Sequence, residues 1–348
     1  MDLSTPNPDL YGIPYWLDDF HGMPYRYVGA SGLRASAIGL GTWKFGYPET
    51  GDGARVDEQT AYKIFDRAVE LGVTFWDTAN RYNNAAGNSE RLIGSWLQAN
   101  PGQRRDIVLA TKLCGGMDGF TPNHCGLSRS AIVDALDASL ARLRLDYVDV
   151  LYFHRPDPMT PIEESLETVD DLVRQGKMRY LAVSNFSVEQ LTDLLEAAAT
   201  ISRRCRPVAV QNKFDPVTLE NPQHSGVLRF CADNGIAFVP YSPLSGGLLS
   251  GRYLDPSRIG TGDRLHDEGV LDSVATPANV EKVRRLGALA EAWELEISQL
   301  TLAYLLTMPG MGPQIPGTST LDQLESNAAA GKVELTADQI AAVRDALS

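Results

Sequence analysis

Four polar residues stand where the sequence predicts the carboxyl ends of β-strands. Asp77, Lys112 and His154 each end an apolar, β-rich run, and Tyr82 follows Asp77 by five residues. If these runs are neighbouring parallel strands of a barrel, their ends meet at one edge and the four side chains converge there. A single such residue is more simply explained as an ordinary polar group in a loop, but the set of four favours a catalytic site.

The chemistry that suits these four residue types is proton transfer to or from a carbonyl oxygen. A tyrosine with a pKa near ~10 is a weak acid at neutral pH, and an ammonium from Lys112 beside Tyr82 is expected to lower that pKa by stabilising the phenolate. The Asp77 carboxylate balances the lysine charge, and His154 orients the substrate oxygen or donates to it. An alkoxide that develops during hydride transfer needs such a proton donor within hydrogen-bond distance.

Short apolar runs alternate with segments of helical periodicity from about residue 38 to residue 330. This alternation predicts parallel βαβ units. We expect eight strands, at residues 37–43, 73–77, 107–112, 147–154, 180–184, 208–211, 237–241 and 311–316. Helices between them are predicted at residues 57–71, 90–99, 128–143, 162–174, 188–199, 226–234 and 321–330, and two more, 277–293 and 298–307, inside the long gap 242–310.

Eight strand–helix repeats predict the α/β class and a closed (β/α)8 barrel, or TIM barrel, with its chemistry at the carboxyl ends of the strands. The competing fold is an open doubly wound sheet, but no GxGxxG motif follows an early strand. Residues 25–35, with Gly29 and Gly32, predict a β-hairpin before the barrel. We therefore expect an N-terminal extension at 1–24 and a single barrel domain at 25–348 with extra C-terminal helices.

The composition is typical of a soluble globular protein rather than a disordered or membrane-spanning one. Hydrophobic residues make up 43% and charged residues 22% of the 348 residues, and no stretch is long and apolar enough for a membrane helix. The formal net charge of −13 argues against nucleic-acid partners and means that any bound nucleotide needs local cations or backbone N–H groups. Because no secretory signal is recognisable, a cytoplasmic location is expected.

The four cysteines predict neither a disulfide scaffold nor a metal site. Cys114, Cys125, Cys205 and Cys231 lack CxxC spacing, and no cluster of other ligand residues accompanies them. Cys114 and Cys125 flank one Gly-rich loop, so a disulfide or a metal site at that pair is the minor alternative. We expect reduced thiols and no bound metal.

Several segments resemble the aldo-keto reductase family. FWDTANRY at 75–82 and NSERLIG at 88–94 resemble the stretch that carries the family's catalytic aspartate and tyrosine. LATK at 109–112 and VDVLYFHRPD at 148–157 are similar to the strands that carry its lysine and histidine. The resemblance extends from Tyr25 to the last helix, and it implies a catalytic tetrad of Asp77, Tyr82, Lys112 and His154.

The resemblance also implies a nicotinamide cofactor, NADP(H), with NAD(H) as the second possibility. GTW at 41–43 resembles the segment beside the nicotinamide ribose, VSNF at 183–186 the segment that holds the nicotinamide amide, and Tyr241 the ring that stacks on it. The Gly-rich run 245–251 lets the backbone approach the pyrophosphate. The implied cofactor contacts are Gly41, Thr42, Trp43, Asp77, Ser184, Asn185, Gln211, Tyr241, Ser242, Pro243, Leu244, Gly247, Leu248, Ser250, Arg252, Gly317, Thr318, Ser319, Gln323 and Asn327.

The expected adenosine end departs from the family pattern. In PGTSTLDQLESN at 316–327, Ser319 and Thr320 stand where many members have an Arg or Lys for the adenosine 2′-phosphate. Ser326 stands where a Glu often binds the adenine amino group. The helix N-terminus still favours an anion here. The residues that we expect to supply the missing charge are Arg252 or Arg264.

The loop 113–127 after the lysine strand is expected to form one wall of the substrate pocket. GLSR at 126–129 resembles the branch that includes potassium-channel β subunits and bacterial reductases of sugars or aromatic aldehydes. Asn83 and Asn84 follow the tyrosine where the family usually has Gly, which changes the rim. The expected pocket residues are Trp43, Tyr82, Phe120, His154 and Arg155, with Trp76 and Met117 as further apolar candidates and Asn83 and His124 as polar ones; core packing is the simpler role for Trp76.

We therefore expect an NADP(H)-dependent oxidoreductase that interconverts an aldehyde, ketone or sugar carbonyl with its alcohol, with Tyr82 as general acid and base. Two alternatives stay open. One is a cofactor-sensing regulatory subunit of the same fold with incidental turnover, and the other is a barrel enzyme that binds a phosphosugar without a nucleotide. The identity of the small-molecule substrate, the reaction direction and the oligomeric state are not indicated by the sequence.

Overall fold

A small antiparallel sheet precedes the main body of the chain. The computed structural model describes residues 12–14, 16–117 and 119–348. Strand β1 (Asp19–Phe20) pairs with β2 (Met23–Tyr27), which pairs with β3 (Arg34–Ser36). The hairpin predicted at 25–35 is therefore confirmed. Of the extension predicted at 1–24, residues 1–11 and 15 lie outside the described residues.

Seven parallel strands then form a curled sheet in which each strand pairs with the next one along the chain. Most of their residues are buried, because helices cover the outer face and the barrel interior covers the inner face. The positions agree with the first seven predicted strands. They are β4 (Leu40–Gly41), β5 (Phe75–Asp77), β6 (Val108–Leu113), β7 (Val148–Phe153), β8 (Met178–Ser184), β9 (Ala209–Lys213) and β10 (Ala237–Tyr241).

The eighth predicted strand, 311–316, closes the barrel without forming a continuous strand. Pro313 and Pro316 have no N–H to donate to a sheet ladder, so only separated bridges form. These bridges lie on both sides of the segment, with β10 and with the chain at β4, and they are Phe238 to Met311, Tyr241 to Ile315, Ile38 to Gln314 and Gly41 to Gly317. The predicted (β/α)8 barrel is confirmed, with a bridging segment in place of its last strand.

Every helix with predicted bounds is present within two residues of its expected ends, and the described residues contain four more for which no bounds were predicted. Asp57, Ser128, Ser187 and Thr320 cap helices by accepting a hydrogen bond from a backbone N–H of the first turn. The helices are α1 (Glu58–Glu70), α2 (Tyr82–Ala85), α3 (Asn88–Ala99), α4 (Arg129–Leu143), α5 (Ile162–Arg174), α6 (Val188–Ile201), α7 (Val227–Asn234), α8 (Arg264–Asp267), α9 (Leu271–Val274), α10 (Pro277–Ala292), α11 (Ile297–Leu306), α12 (Leu321–Ala330) and α13 (Ala337–Leu347).

The hairpin seals the end of the barrel that lies opposite the carboxyl ends of the strands. Val28 and Ala35 pack with the side chains that fill the barrel interior. The Ser36 hydroxyl accepts hydrogen bonds from the backbone N–H groups of Thr74 (3.1 Å) and Phe75 (3.0 Å), at the start of β5. Closure at this end leaves the other end, where the carboxyl termini of the strands meet, for the site.

A second layer of core lies between the barrel and its helices. Trp76 is fully buried there, stacks on Phe65 at 4.7 Å between ring centroids, and donates its indole N–H to the Val73 carbonyl at 2.9 Å. This residue therefore belongs to the core and not to the pocket wall. No helix within residues 12–14, 16–117 and 119–348 has the length and apolar character to cross a membrane.

Candidate active site

The four residues of the expected tetrad meet at the carboxyl ends of β5, β6 and β7. Asp77 is the last residue of β5, Lys112 lies one residue before the end of β6, and His154 directly follows β7. The Lys112 Nζ atom lies 2.5 Å from Asp77 Oδ1 and 2.6 Å from the Tyr82 hydroxyl oxygen. The Tyr82 hydroxyl donates to Asp77 Oδ1 at 3.0 Å, and its ring centroid lies 6.2 Å from that of His154.

Lys112 and Asp77 form a buried ion pair beneath the tyrosine. Both side chains are at most 2% exposed, and Lys112 gives its third hydrogen bond to the Thr78 carbonyl at 3.0 Å. Gln211 Nε2 donates to the second Asp77 oxygen at 2.8 Å. Burial lowers the pKa of Lys112, although the Asp77 charge opposes this. All three ammonium protons have acceptors, so the lysine is held in one position.

The expected lowering of the Tyr82 pKa is wrong for this arrangement. Burial, together with the charge of the Asp77 carboxylate and the hydrogen bond to it, holds the pKa of Tyr82 well above its usual value. Because Asp77 already neutralises Lys112, the ion pair presents little net positive charge to the phenol. The phenol therefore keeps its proton at neutral pH and is suited to donate it.

His154 is uncharged at neutral pH. Burial, and then the positive charges of Lys112, Arg155 and Arg81, lower its pKa to about 3. A neutral imidazole can donate one hydrogen bond and accept another, depending on its tautomer. The geometry therefore offers a substrate oxygen two neutral groups, the Tyr82 phenol and the His154 ring.

The local backbone after Tyr82 accounts for the two asparagines. Asn83, Asn84 and Ala85 have φ angles of 54°, 56° and 61°, in the left-handed region that Gly adopts most easily and Asn next. The Asn83 side chain donates to the Phe45 carbonyl at 2.6 Å, which fixes this turn to the loop after β4. Asparagine is, after Gly, the residue that adopts this left-handed conformation most easily, so the two asparagines fit the turn.

A cleft of about 820 Å³ runs from the tetrad across the mouth of the barrel. It is large enough for a dinucleotide, within the usual range of ligand sites. At one end lie Asp77, Tyr82 and His154, and at the other lies the start of α12. The other expected cofactor residues that line it are Gly41, Trp43, Ser184, Asn185, Gln211, Tyr241, Ser242, Pro243, Leu244, Gly247, Ser250, Arg252, Gly317, Thr318, Ser319, Gln323 and Asn327.

Polar groups beside His154 lie in positions from which they can hydrogen-bond to an amide. Asn185 donates to the His154 carbonyl at 2.9 Å and to the Ser184 hydroxyl at 3.0 Å, and it accepts from the Tyr241 hydroxyl at 3.1 Å. The Ser184 hydroxyl donates to the Gln211 carbonyl at 2.7 Å. These contacts orient Asn185 and Ser184 at the carboxyl end of β8 and set the Tyr241 ring beside them.

The loop after β10 turns back on itself through left-handed residues. We call residues 242–276 the seventh loop. Ser242, Ser245, Gly246 and Gly247 have φ angles of 57°, 51°, 65° and 98°. Ser242, Ser245 and Gly246 lie in the small left-handed region, whereas the angle of Gly247 lies beyond it and requires glycine. The turn brings its backbone to the cleft between Tyr241 and the start of α12.

Acidic and hydroxyl side chains dominate the far end of the cleft. Ser319 donates through its backbone N–H and its hydroxyl to the Gln323 side-chain oxygen, at 2.9 and 3.0 Å. Glu296, which the sequence analysis missed, accepts from the Ser326 hydroxyl at 2.5 Å and also lines this end. A carboxylate therefore sits beside Ser326, although it comes from an element 30 residues earlier. Asp322 adds a second carboxylate.

Besides Lys112, which is buried beneath Tyr82, four expected site residues do not line the cleft. Thr42 and Leu248 are fully buried, and the Thr42 hydroxyl donates to the Asp77 backbone carbonyl at 2.9 Å, so it supports the site from below. Phe120 is fully exposed, and Arg155 points to the Cys114 thiol. Met117 and His124 border a separate cavity of about 20 Å³.

Some basic residues of the cleft were not expected. Lys44, one of these, and Arg264, which was expected, lie on the ring of Trp43, with Nζ at 4.0 Å and Cζ at 4.6 Å from its centroid. Arg55 and Arg81 also line the cleft. Isolated basic residues in loops carry no sequence periodicity, so only the fold reveals that they converge. The four cysteines are unpaired, and within the described part of the chain no three His, Cys, Asp or Glu side chains group as metal ligands.

Comparison with known proteins gives one consistent result. The sequence model described as the Aldo/keto reductase family matches residues 37–348. The chain is 33% identical over 332 residues to "Aldo-keto reductase str7" of Strobilurus tenacellus, covering 92% of this chain and 91% of the relative. It is 32% identical over 330 residues to "L-glyceraldehyde 3-phosphate reductase" of Escherichia coli (strain K12), covering 92% and 88%. A "Putative voltage-gated potassium channel subunit beta" of Schizosaccharomyces pombe is 33% identical over 310 residues, covering 88% and 87%.

Proposed function

The chain belongs to the aldo/keto reductase family of oxidoreductases, and from this premise we propose that it interconverts a carbonyl compound and its alcohol with NADP(H), using Tyr82 as the proton donor. The substrate class that we propose is an aldehyde, a ketone or a sugar carbonyl. The observation that carries this proposal is the Tyr82 hydroxyl held between the Lys112 ammonium and the Asp77 carboxylate.

In the reducing direction, side chains of the protein supply the proton that the carbonyl oxygen receives. NADPH, when bound, supplies the hydride that adds to the carbonyl carbon. As negative charge develops on the carbonyl oxygen, the Tyr82 hydroxyl gives its proton to that oxygen, and Lys112 Nζ stabilises the resulting phenolate from 2.6 Å. Asp77 keeps Lys112 in place and charged, and the neutral His154 ring orients the substrate oxygen.

The residues around the cleft fit a nicotinamide dinucleotide. Ser184, Asn185 and Gln211 offer the donors and acceptors that an amide needs, and the half-buried Tyr241 ring offers a flat surface for stacking. At the other end, no described atom beyond the adjoining residues lies within 4 Å of a Cβ added at Gly317, so the backbone there is open to a ligand. We propose that the left-handed turn of the seventh loop presents its backbone to the pyrophosphate.

We propose that NADPH is preferred over NADH by a modest margin. Arg264 supports the preference because it lines the cleft and its only carboxylate contact among the described residues is the half-exposed Glu268 at 3.0 Å. Arg252 contributes less, since Asp263 holds it at 2.6 Å. The nearby carboxylates of Glu296 and Asp322 repel a 2′-phosphate and limit the margin.

Equilibrium binding of both nucleotides tests the cofactor proposal. We expect NADPH to quench the protein fluorescence with a Kd several-fold lower than that of NADH, and Ser319→Arg to widen the difference to about tenfold or more by adding a charge-assisted contact. Ser319→Thr, which keeps a hydroxyl, is the matched control. A clear NADH preference in the unchanged protein would overturn the assignment of NADP(H).

Activity measurements separate the enzyme from the alternatives. A screen of aldehydes, ketones, aldoses and quinones with each reduced nucleotide should find turnover that depends on NADPH. A regulatory subunit would bind the nucleotide without substantial turnover of any carbonyl compound, and a phosphosugar enzyme would bind neither nucleotide. The complete Asp77, Tyr82, Lys112 and His154 arrangement favours the enzyme. A cytoplasmic location and a single domain at 25–348 remain predictions.

A further inference from the structure

Two arginines flank the tetrad without forming an ion pair in the part of the chain that the structure describes. Arg81 directly precedes Tyr82, is exposed, and lines the cleft. Its guanidinium donates to the Gly116 carbonyl, which places it against the loop that follows β6. Arg155 directly follows His154, is exposed, and lies beside the Cys114 thiol.

The charges at this end of the cleft do not cancel. Lys112 and Asp77 neutralise one another at 2.5 Å, and His154 is neutral. Asp157 is close enough to Arg155 for their charges to interact, but its oxygens accept from backbone and hydroxyl donors. These donors are Leu127 N–H at 2.8 Å, Met159 N–H at 3.0 Å and the Thr160 hydroxyl at 2.7 Å. Among the residues that the structure describes, the two guanidinium groups at the tetrad end therefore keep their positive charge, although the whole chain has a net charge of −13.

These arginines are separate from the cations at the nucleotide part of the cleft. Lys44 and Arg264 contact the Trp43 ring, and Arg252 is paired with Asp263 in the seventh loop. Arg81 instead stands on the tetrad side, adjacent in the chain to the proposed proton donor. Its unused N–H groups have the planar, forked arrangement that binds carboxylate or phosphate.

We propose that the substrate is a small carbonyl compound that carries an anionic group, a phosphate or a carboxylate, and that Arg81 binds this group while Arg155 adds its charge. The proposal rests on the proposed carbonyl oxidoreductase function and specifies its substrate class. Because Arg81 and Tyr82 are neighbours, the anionic group and the reacting carbonyl belong to the same small molecule. A purely structural Arg81, which only holds Gly116, would affect charged and neutral substrates equally.

Matched pairs of substrates test the proposal. The first pair is glyceraldehyde 3-phosphate and glyceraldehyde, and the second is succinic semialdehyde and butyraldehyde. We expect kcat/KM to be about 10- to 100-fold higher for the charged member of at least one pair, as charge-assisted hydrogen bonds allow. A preference in the first pair identifies phosphate as the group, and one in the second identifies carboxylate. Equal kcat/KM within both pairs would overturn the proposal.

Substitutions at Arg81 test whether this residue causes the preference for charged substrates. Arg81→Gln should reduce the charged-to-neutral ratio of kcat/KM towards one, mainly through KM, and Arg81→Lys should retain part of the ratio. Arg229→Gln, at an exposed arginine of α7 paired with Asp233, is the control and should leave the ratio unchanged. If Arg81→Gln lowers both members of a pair equally, the residue has only a structural role and the proposal fails.

A measurement on the unchanged protein does not depend on the folding of any variant. Inorganic phosphate should inhibit butyraldehyde reduction competitively with the aldehyde. Inhibition that competes only with the nucleotide would assign the anion to the pyrophosphate region and overturn the proposal. Failure of the proposed function itself looks different, because then none of the four aldehydes is reduced with NADPH or NADH.

Discussion

Tyr82 is the residue at which every part of the proposed chemistry meets. Replacing it with Phe removes the proton donor and leaves the ring in place, while the cofactor residues are untouched. We expect Tyr82→Phe to lower kcat for carbonyl reduction by about 10²- to 10⁴-fold, the usual contribution of general acid catalysis. Nucleotide binding, followed by fluorescence, should change little. A variant that retains half of the original turnover would exclude Tyr82 from the mechanism.

The neutral state of His154 links the site to the stability of the protein. Its pKa in the folded protein is about 3, below the ordinary value near ~6.5, so the unfolded chain takes up a proton at a higher pH than the folded one. Stability is therefore fully present above pH ~6.5 and is lost as the pH falls towards 3.

The change His154→Gln tests this linkage because it removes the titrating group. Between pH 7 and pH 5 the unchanged protein should lose about 2 kcal/mol of unfolding free energy more than the variant does. Urea unfolding at the two pH values measures the difference. Parallel losses in both proteins would mean that the histidine titrates normally in the folded state.

The tetrad was predictable because three of its residues end strands, whose positions follow from apolar periodicity. The direction of the Tyr82 pKa shift could not be predicted from the sequence. It depends on the burial of the phenol and on the position of Asp77, which neutralises Lys112. The Glu296 carboxylate was missed for a similar reason. It reaches Ser326 from the residue before α11, and no spacing in the sequence links the two.

Among the elements, α3 and α4 approach each other closely at a glycine. A side chain added at Gly94 would lie 2.5 Å from the Arg142 carbonyl oxygen and 2.6 Å from the Leu143 carbonyl, both backbone atoms of α4 or its end. The backbone cannot move aside as a flexible side chain can, so the helices would have to separate. This glycine lies in the NSERLIG segment, which gives that motif a packing role.

We expect Gly94→Ala to destabilise the protein by about 2 kcal/mol or more, even though Ala favours a helix over Gly by about 1 kcal/mol. The matched control is Gly287→Ala in α10, where the added group meets only the tip of the Ile297 side chain at 3.3 Å. That change should be neutral or stabilising. Thermal unfolding of both variants decides the matter, and equal shifts of their Tm would refute the packing argument.

The ends of helices and strands were predicted best where apolar residues recur at regular spacing. They were predicted worst where prolines or left-handed residues interrupt an element. α5 and α12 have the predicted ends, because their apolar spacing is regular and, in α12, the Thr320 hydroxyl caps the first turn. The segment 311–316 has apolar residues of a strand, yet its prolines limit it to bridges. The four-residue segment α2 was not predicted, and three of its residues have left-handed φ angles, so it is a kinked turn rather than a regular helix.

At the scale of the whole molecule, the mouth of the barrel is spanned by a contact between the loop after β4 and the seventh loop. Arg55, in the loop after β4, donates to the Gly262 carbonyl at 2.9 Å and pairs with Asp267 at 2.7 Å. The seventh loop thereby crosses the cleft and is fastened on the far side. Gly262 and Asp267 lie more than 200 residues beyond Arg55, so no local pattern in the sequence predicts this contact.

This contact should control how fast the nucleotide leaves. The arginine is 33% and the aspartate 26% exposed, so their interaction is worth on the order of 1 kcal/mol, which corresponds to about a fivefold change in rate. We expect Arg55→Gln to raise the dissociation rate of NADPH by about that factor in stopped-flow fluorescence. Because the pair is partly exposed, added salt should accelerate release from the unchanged protein more than from the variant. Arg229→Gln serves again as the surface control. If Arg55→Gln releases NADPH at the original rate and with the original salt dependence, the seventh loop does not gate the cleft through this contact.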